Sequence, residues 1–367
     1  MSKMFTLYGA QMSLYTGKAR AYLTYKQIPF REVFSSVKVY KSIIQPKTGV
    51  RFIPVVETPE GEFIQDTVQI IDDLEQRFVE SSIYPATAKQ HLVSEIFQLW
   101  GDEWLLIPAM HYRWNKNNYP FIYEEFGRVA APNMPAFVRR FFGKKLASRF
   151  KGFVPVLGIT EKTIPAIEDW FENHVLVELD THFATHDFLL GGRPCAGDFG
   201  LYGPLYAHLY RDPAPGAIIR EKAPHLVKWI ERLQNSPESA GNWLENDQIP
   251  ETLIPLMSRI FEEFWPVLTQ SVEKIQQWIV ENPKVDSMPR SIGFQQFSIG
   301  GITEKRAIMP FHQWKFQRVI DLYNGFDEEK KVDVDTFLQS SFGLQVAPLP
   351  IPKRLERINN KLVIAKP

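Results

Sequence analysis

The sequence predicts an α+β chain, with a small α/β domain first, an all-helical domain after it, and a C-terminal extension of mixed character. Three observations carry this. Over residues 1–80 the apolar pattern alternates between short strand-like runs and helical spacing, in the order β-α-β-α-β-β-α. From about Lys89 to Asn235 the patterned segments all have helical spacing. Beyond Pro237 the chain reads as helix, β-hairpin, helix and a proline-rich tail. The boundaries are therefore 1–80, a linker at 81–88, a helical domain at 89–237, and an extension at 238–367 packed on the body.

Met4 to Tyr8 (MFTLY) is a short apolar strand that stops at Gly9. The segment GKARAYLTYKQ, ending at Gln27, spaces Ala19, Tyr22, Leu23 and Lys26 as a helix. Pro29 stops that helix, and Phe30 to Phe34 is the second strand. SSVKVYKSIIQPKTG is polar and weakly helical, and it leads into a strand from Phe52 to Glu57. A turn at Pro59-Glu60-Gly61 returns Glu62 to Gln65 as an antiparallel partner. Asp66 or Thr67 then caps the helix DTVQIIDDLEQRF.

HLVSEIFQLWGDEWLLIPAMHYRW is apolar nearly all round, which predicts one long, central, buried helix. IPAIEDWFENHVLVELDTHFATH, RPCAGDFGLYGPLYAHLY and HLVKWIERLQNSP complete the helical set. In the extension, ETLIPLMSRIFEEFWPVLTQSVEKIQQWIVEN predicts a helix, Gly300-Gly301 a hairpin turn, and QWKFQRVIDLYN a further helix. KRLERINNK is expected as a short charged tail helix packed against the body, too weakly apolar for a membrane.

The chain has 367 residues, with 42 basic and 42 acidic side chains. A zero formal charge offers no field for nucleic acid, and no basic block is read that would change this. A single cysteine, Cys195, excludes an internal disulfide framework and a Cys-rich zinc module. No signal-like run opens the sequence and no apolar run reaches the ~18 residues of a membrane helix. A cytoplasmic protein with neither nucleic-acid nor membrane partners is expected. Asp180, His182 and His186 have spacing that could hold a metal, but with no third strong ligand nearby a solvated helical face is expected, and no metal.

Three features of the first domain belong together. Ser13 sits between the first strand and the first helix, where the positive helix end favours an anion by ~0.3–1 kcal/mol. Pro54 in RFIPVV fits a cis bond that would leave the backbone of Ile53 free to pair with an extended peptide. Asp66-Thr67 offers a carboxylate for an ammonium, and a hydroxyl with a backbone N–H for a carboxylate. Together they would bind a small peptide that carries a thiol and an amino-acid end.

At these residues the sequence resembles the glutathione transferase superfamily, in a Ser-type, bacterial-like form with a long C-terminal extension. LYGAQMSLYTGKARAYLTYKQIPF is similar to the strand–Ser–helix opening of its thioredoxin-like domain, with Leu14 where many members have proline. IPVV matches the cis-proline strand start. QDTVQIIDDLE matches the acidic–Ser–x–Ala–Ile cap, with Thr67 for serine and Gln69 for alanine. FLLGGRPCAGDFGLYGPLY resembles the Ser/Thr-x-x-Asp helix start of the helical domain, keeping Asp198 with Cys195 at the serine position.

The resemblance implies glutathione as co-substrate, with its γ-glutamyl end at Asp66 and Thr67 and its cysteinyl backbone at Ile53 and Pro54. Lys41 is a candidate for its glycyl carboxylate. Its thiol would meet Ser13, with Tyr8 and Tyr15 as alternatives. Moving a free thiol down by two units from ~8.5 requires about 2.7 kcal/mol of thiolate stabilisation, which a charge-assisted hydroxyl bond at a helix end can supply. The thiolate would attack a hydrophobic electrophile, in a detoxifying transfer, over a wall formed by Trp104, His111 and Trp114. Asp198 is expected to be structural and Cys195 a buried small residue. The resemblance implies a homodimer. A non-catalytic binding or scaffold protein, and a glutathione-dependent isomerase, dehalogenase or ether-cleaving enzyme, are the competing expectations.

Overall fold

A computed structural model describes residues 4–235, 241–344 and 349–366. The first domain is a four-stranded sheet flanked by helices. Strand β1 (Phe5–Gly9) pairs in parallel with β2 (Phe30–Phe34) across helix α1 (Leu14–Tyr25). Between β2 and β3 lie α2 (Val37–Val39), a π-helical turn (Tyr40–Ile44) and α3 (Gln45–Thr48). β3 (Val55–Glu57) and β4 (Phe63–Gln65) complete the order β2-β1-β3-β4, both new pairings being antiparallel. α4 (Thr67–Arg77) follows, buried through Val68, Ile70, Ile71 and Leu74. This is the arrangement of a thioredoxin-like domain.

The helical domain opens with α5 (Ala88–Glu103), of which nearly every side chain is buried. The expected single long helix is in fact two. The backbone turns at Trp104-Leu105 before α6 (Leu106–Arg113), and Pro108 cannot supply the N–H that a continuous helix would require. α7 (Tyr119–Ala130) and α8 (Ala136–Lys151) form a helical hairpin. α9 (Ile164–Asp169) and α10 (Leu176–Phe183) are joined through a π-helical turn. α11 (Ala196–Pro204), α12 (Pro213–Lys222) and α13 (Pro224–Asn235) close the domain. The last residues expected in that closing helix, Ser236 and Pro237, lie outside the described set.

The extension is an ordered body. α14 (Ile254–Arg259) and α15 (Trp265–Glu281) lead to the hairpin β5 (Phe294–Ile299) and β6 (Ile302–Ala307). Gly300 and Gly301 turn that hairpin at φ of 53° and 77°, as their sequence predicts. α16 (Pro310–Asn324) is the expected helix, and α17 (Glu328–Phe342) is one that the sequence reading does not include. The expected tail helix is wrong. KRLERINNK instead forms the first arm and turn of a second hairpin, β7 (Leu355–Ile358) with β8 (Lys361–Ile364). The reason is local: Asn359 and Asn360 both adopt positive φ, the two-residue turn that a helix cannot contain. Phe264, Phe297 and Phe316 of the extension join the same hydrophobic core as Trp100 and Trp104, so the extension is packed on the body by apolar burial.

Candidate functional site

Ser13 is positioned by a tight connection. Thr16 packs so closely on Gly9 that a Cβ there would meet the threonine methyl at 2.1 Å. The Ser13 N–H donates to the carbonyl of Ala10 at 2.9 Å, and its Oγ accepts the Thr16 N–H at 3.3 Å as the N-cap of α1. That bond uses the Ser13 oxygen as an acceptor and leaves its O–H able to donate, at a helix end that favours an anion. Tyr8 and Tyr15 are placed otherwise. The Tyr8 hydroxyl donates to Glu57 at 2.7 Å, and burial with that carboxylate pushes its pKa up to about 12. The Tyr15 hydroxyl donates to the carbonyl of Asp102 at 3.1 Å, and burial pushes it up too.

The Ile53–Pro54 bond is cis, and β3 starts directly after it. Asp66 has φ of 86°, and its carboxylate caps α4 by accepting the Val68 N–H at 2.9 Å. Thr67 is 1% exposed, and its Oγ1 has no hydrogen-bond partner among the described residues. A buried polar group left without a partner costs about 1–3 kcal/mol, and at a helix N-terminus a ligand carboxylate is a favoured one. Lys41 lies on the exposed π-helical turn, away from this helix end in sequence and with a solvated side chain.

A residue absent from the sequence reading holds the Ser13 loop in place. Arg113, at the end of α6, is buried and donates to both carboxylate oxygens of Asp212 at 2.8 Å. Its remaining donors reach the carbonyls of Ala207 at 2.7 Å and of Met12 at 2.5 Å. The helical domain thus holds the residue before Ser13 by one hydrogen bond, from an arginine that a bidentate ion pair fixes in place. An arginine among the aromatics of HYRW was the signal for it.

The extension covers this region. Arg357 of β7 donates through Nη1 to the Gln65 carbonyl at 3.0 Å and the Gln69 side chain at 2.6 Å, on either side of Asp66-Thr67. Burial lowers the Arg357 pKa, and the nearby charge of Asp66 supports its charged form. Asn360 donates to the carbonyl of Thr48 at 3.0 Å. Arg290 lies over the rings of Phe52 and Phe153, bridging the first domain to the second. Deeper in, Lys18 of α1 and Lys315 of α16 both reach the same Asp102 oxygen at 2.8 Å. First domain, helical domain and extension therefore meet at one buried carboxylate.

This changes the expected second-substrate wall. Trp104 is fully enclosed, with the rings of Phe264 and Phe297 at 5.1 and 5.9 Å and the guanidinium of Arg306 at 4.9 Å, all from the extension. It does not line an open pocket, because the extension fills the space that it would face. His111 is buried with Nε2 at 2.9 Å from Glu168. Trp114 stacks on Phe126 in a cluster that also takes in Met12, the residue before Ser13.

Asp198 is fully buried at the start of α11. It accepts from the backbone of Cys195 at 2.9 Å and of Leu189 at 3.1 Å, and from the Trp229 indole at 2.9 Å. Burial pushes its pKa up to about 6. Cys195 is fully buried, and burial beside Asp198 raises its thiol well above the ordinary value. The expected solvated face at Asp180, His182 and His186 holds only in part, with His186 partly exposed and the other two engaged. Asp180 instead caps α13 by accepting the backbone N–H groups of His225 and Leu226 at 2.6 and 3.1 Å. His182 is buried against Thr252, at 2.8 Å.

Family models for the glutathione S-transferase N-terminal domain and C-terminal domain match residues 7–82 and 161–237. Solved structures similar to this one include a glutathione S-transferase from Rhodospirillum rubrum F11, 15% identical over 68% of this chain and 97% of that one, with a TM-score of 0.40. A glutathione S-transferase from Methylobacterium radiotolerans in complex with glutathione sulfonate is 17% identical over 66% and 99%, with a TM-score of 0.39. A β-etherase from Sphingobium sp. strain SYK-6 is 16% identical over 64% and 95%, with a TM-score of 0.40. No curated protein sequence gives a significant match. With both domains matched in family order, over the segments that carry the cis-proline, the Asp66-Thr67 cap and the Asp198 helix start, the chain belongs to the glutathione transferase superfamily.

Proposed function

We propose that this protein binds glutathione along β3 and the N-terminus of α4 and holds its thiol as a thiolate against Ser13, for attack on a hydrophobic electrophile. The observation that carries the reading is the buried Thr67 hydroxyl, which lacks a partner among the described residues and sits beside the Asp66 carboxylate. A γ-glutamyl group supplies a carboxylate for the first and an ammonium for the second. Ile53, held by the cis bond, offers its backbone to the cysteinyl unit, and Ser13 is the nearby hydroxyl whose proton remains to be donated. Leu14, in place of proline, starts α1 without disturbing the cap.

Calorimetry with glutathione tests this on the wild type, Ser13→Ala and Thr67→Val. Thr67→Val is expected to weaken binding by about tenfold, the worth of one hydrogen bond to a charged group. Ser13→Ala is expected to keep binding and lose thiolate absorbance. A chain that binds no glutathione, with or without residues 349–367, would remove the reading.

A second reading is favoured by the burial of Trp104 beneath Phe264, Phe297 and Arg306. In it the protein binds glutathione as a scaffold, without turning over a second substrate; isomerisation, dehalogenation or ether cleavage would need the same open wall. Steady-state turnover of a general electrophile, absent in a chain that binds glutathione, would favour it. A homodimer belongs to the first reading. It would have to avoid the flank where Arg318 of α16 holds Asp72 of α4 at 2.6 Å, and a mass of 42.5 kDa at high concentration in sedimentation equilibrium would exclude it.

A further inference from the structure

The helical hairpin α7–α8 has an inner and an outer side of different chemistry. The two helices cross with their backbones touching. A Cβ at Gly143 would lie 2.0 Å from the carbonyl oxygen of Tyr123, and one at Gly127 would lie 2.5 Å from that of Arg139. On α8 only Gly143 and Ala147 are buried, so this 16-residue helix lies on the body by one narrow edge. Ala147 and Leu146 belong to the cluster of Trp114, Phe126 and Met12, which fixes the edge that faces inward.

The outer side is both aromatic and basic. Phe137 is 77% exposed, Phe141 69% and, at the hairpin tip, Met134 51%. Phe137 and Phe141 are one helical turn apart and therefore share a face. α8 carries six cationic side chains and no acidic one, in the sequence AFVRRFFGKKLASRFK. Arg139 is paired with Glu124 at 2.6 Å, and Lys151 lies over the Tyr119 ring at 4.8 Å. Arg140, Lys144, Lys145 and Arg149 are exposed and make no ion pair among the described residues. The zero net charge of the whole chain concealed this local concentration, which the sequence reading did not single out.

We propose that the outer face of α8 docks on an anionic phospholipid surface, lying in the plane of the interface. Exposed phenylalanines and unpaired cations on one helix are what such a surface takes together: rings enter the headgroup–acyl boundary and cations meet the lipid phosphates and carboxylates. A second copy of the chain meeting this face with its own α8 would set six cations against six. A nucleic acid would neutralise the cations but leave Phe137, Phe141 and Met134 in water. The sequence expectation of no membrane partner rests on the lack of a spanning segment. Among the described residues no helix is long and apolar enough to cross a membrane, and a helix lying on the surface needs none.

The test is co-sedimentation of the full chain with phosphatidylcholine vesicles, with and without phosphatidylserine, at low and high salt. Two double variants accompany it, Phe137→Ser with Phe141→Ser, and Lys144→Glu with Lys145→Glu. All four side chains are exposed, so thermal melts should match the wild type, and none touches Ser13, Asp66 or Thr67. Binding that needs phosphatidylserine, falls with salt, and drops about tenfold or more in each variant is the expected result. Binding equal on both vesicles, or none on either, overturns the proposal. So does self-association lost in the phenylalanine variant, or RNA binding tighter than vesicle binding and lost only in the charge variant.

Discussion

Replacing Arg357 by alanine asks whether the β7–β8 hairpin competes with glutathione. The Arg357 guanidinium ties the hairpin to the Gln65 carbonyl at 3.0 Å, to Gln69 at 2.6 Å, and to the Gln65 side chain. Hydrogen bonds from a charged donor are worth about 1.5–3 kcal/mol each when desolvated. Here Gln65 and Gln69 would be hydrated once the hairpin lifted, so about 2 kcal/mol for the set is a reasonable net figure. A roof that must open before ligand enters lowers apparent affinity by the fraction open. Removing about 2 kcal/mol from the closed state therefore raises glutathione affinity about 30-fold, provided the closed state dominates in the wild type. Calorimetry on wild type and Arg357→Ala, with circular dichroism to confirm folding, reads this directly. Unchanged affinity in a folded variant refutes competition. Weaker affinity refutes it differently, by making Arg357 a contact of the ligand's carboxylate.

Two predictions concern the frame around the site. Asp198→Ala strips acceptors from the buried N–H groups of Cys195, Leu189 and Trp229, and should cost about 3–5 kcal/mol in a denaturant melt. A loss below 1 kcal/mol would mean that this cap is dispensable. Glu103 gives a pH prediction. Burial pushes its pKa up, but the charge of Lys315 at 2.8 Å and the His312 contact outweigh this and hold it at about 2. Its folded pKa lies below the ordinary 4.5, so its contribution is present above pH ~4.5 and is lost as pH falls toward 2, on the order of 3 kcal/mol in all. Acid melts of Glu103→Gln should show a shallower fall over that window, and an identical slope would contradict the assignment.

The elements legible in advance share one property: their signals are local. β2 begins and ends where Pro29 and the Phe30–Phe34 pattern place it, and Asp66 caps α4 as its side chain dictates. Gly300-Gly301 turns β5 into β6 because two adjacent glycines accept positive φ. In KRLERINNK the apolar residues Leu355 and Ile358 stand three apart, a spacing that suits a helix, and the Asn359-Asn360 turn overrides it. α17 has a weak local signal, because its buried apolar positions, Val334 and Leu338, are sparse in an acidic stretch.

By itself the sequence determined the thioredoxin-like and helical domains, the cis bond at Pro54, and the start of α4 at Asp66-Thr67. Each depends on residues within a few positions of one another, where backbone geometry and capping chemistry decide the outcome. Tertiary structure alone committed two of the three candidate hydroxyls, Tyr8 to Glu57, 49 residues away, and Tyr15 to Asp102, 87 away. It also joined Arg113 to Asp212 across 99 residues, and laid Arg357 beside Gln65 across 292. The extension closed over Trp104 for the same reason. An aromatic helix face is equally suited to a substrate and to another part of its own chain, and only the packed chain shows which of them covers it.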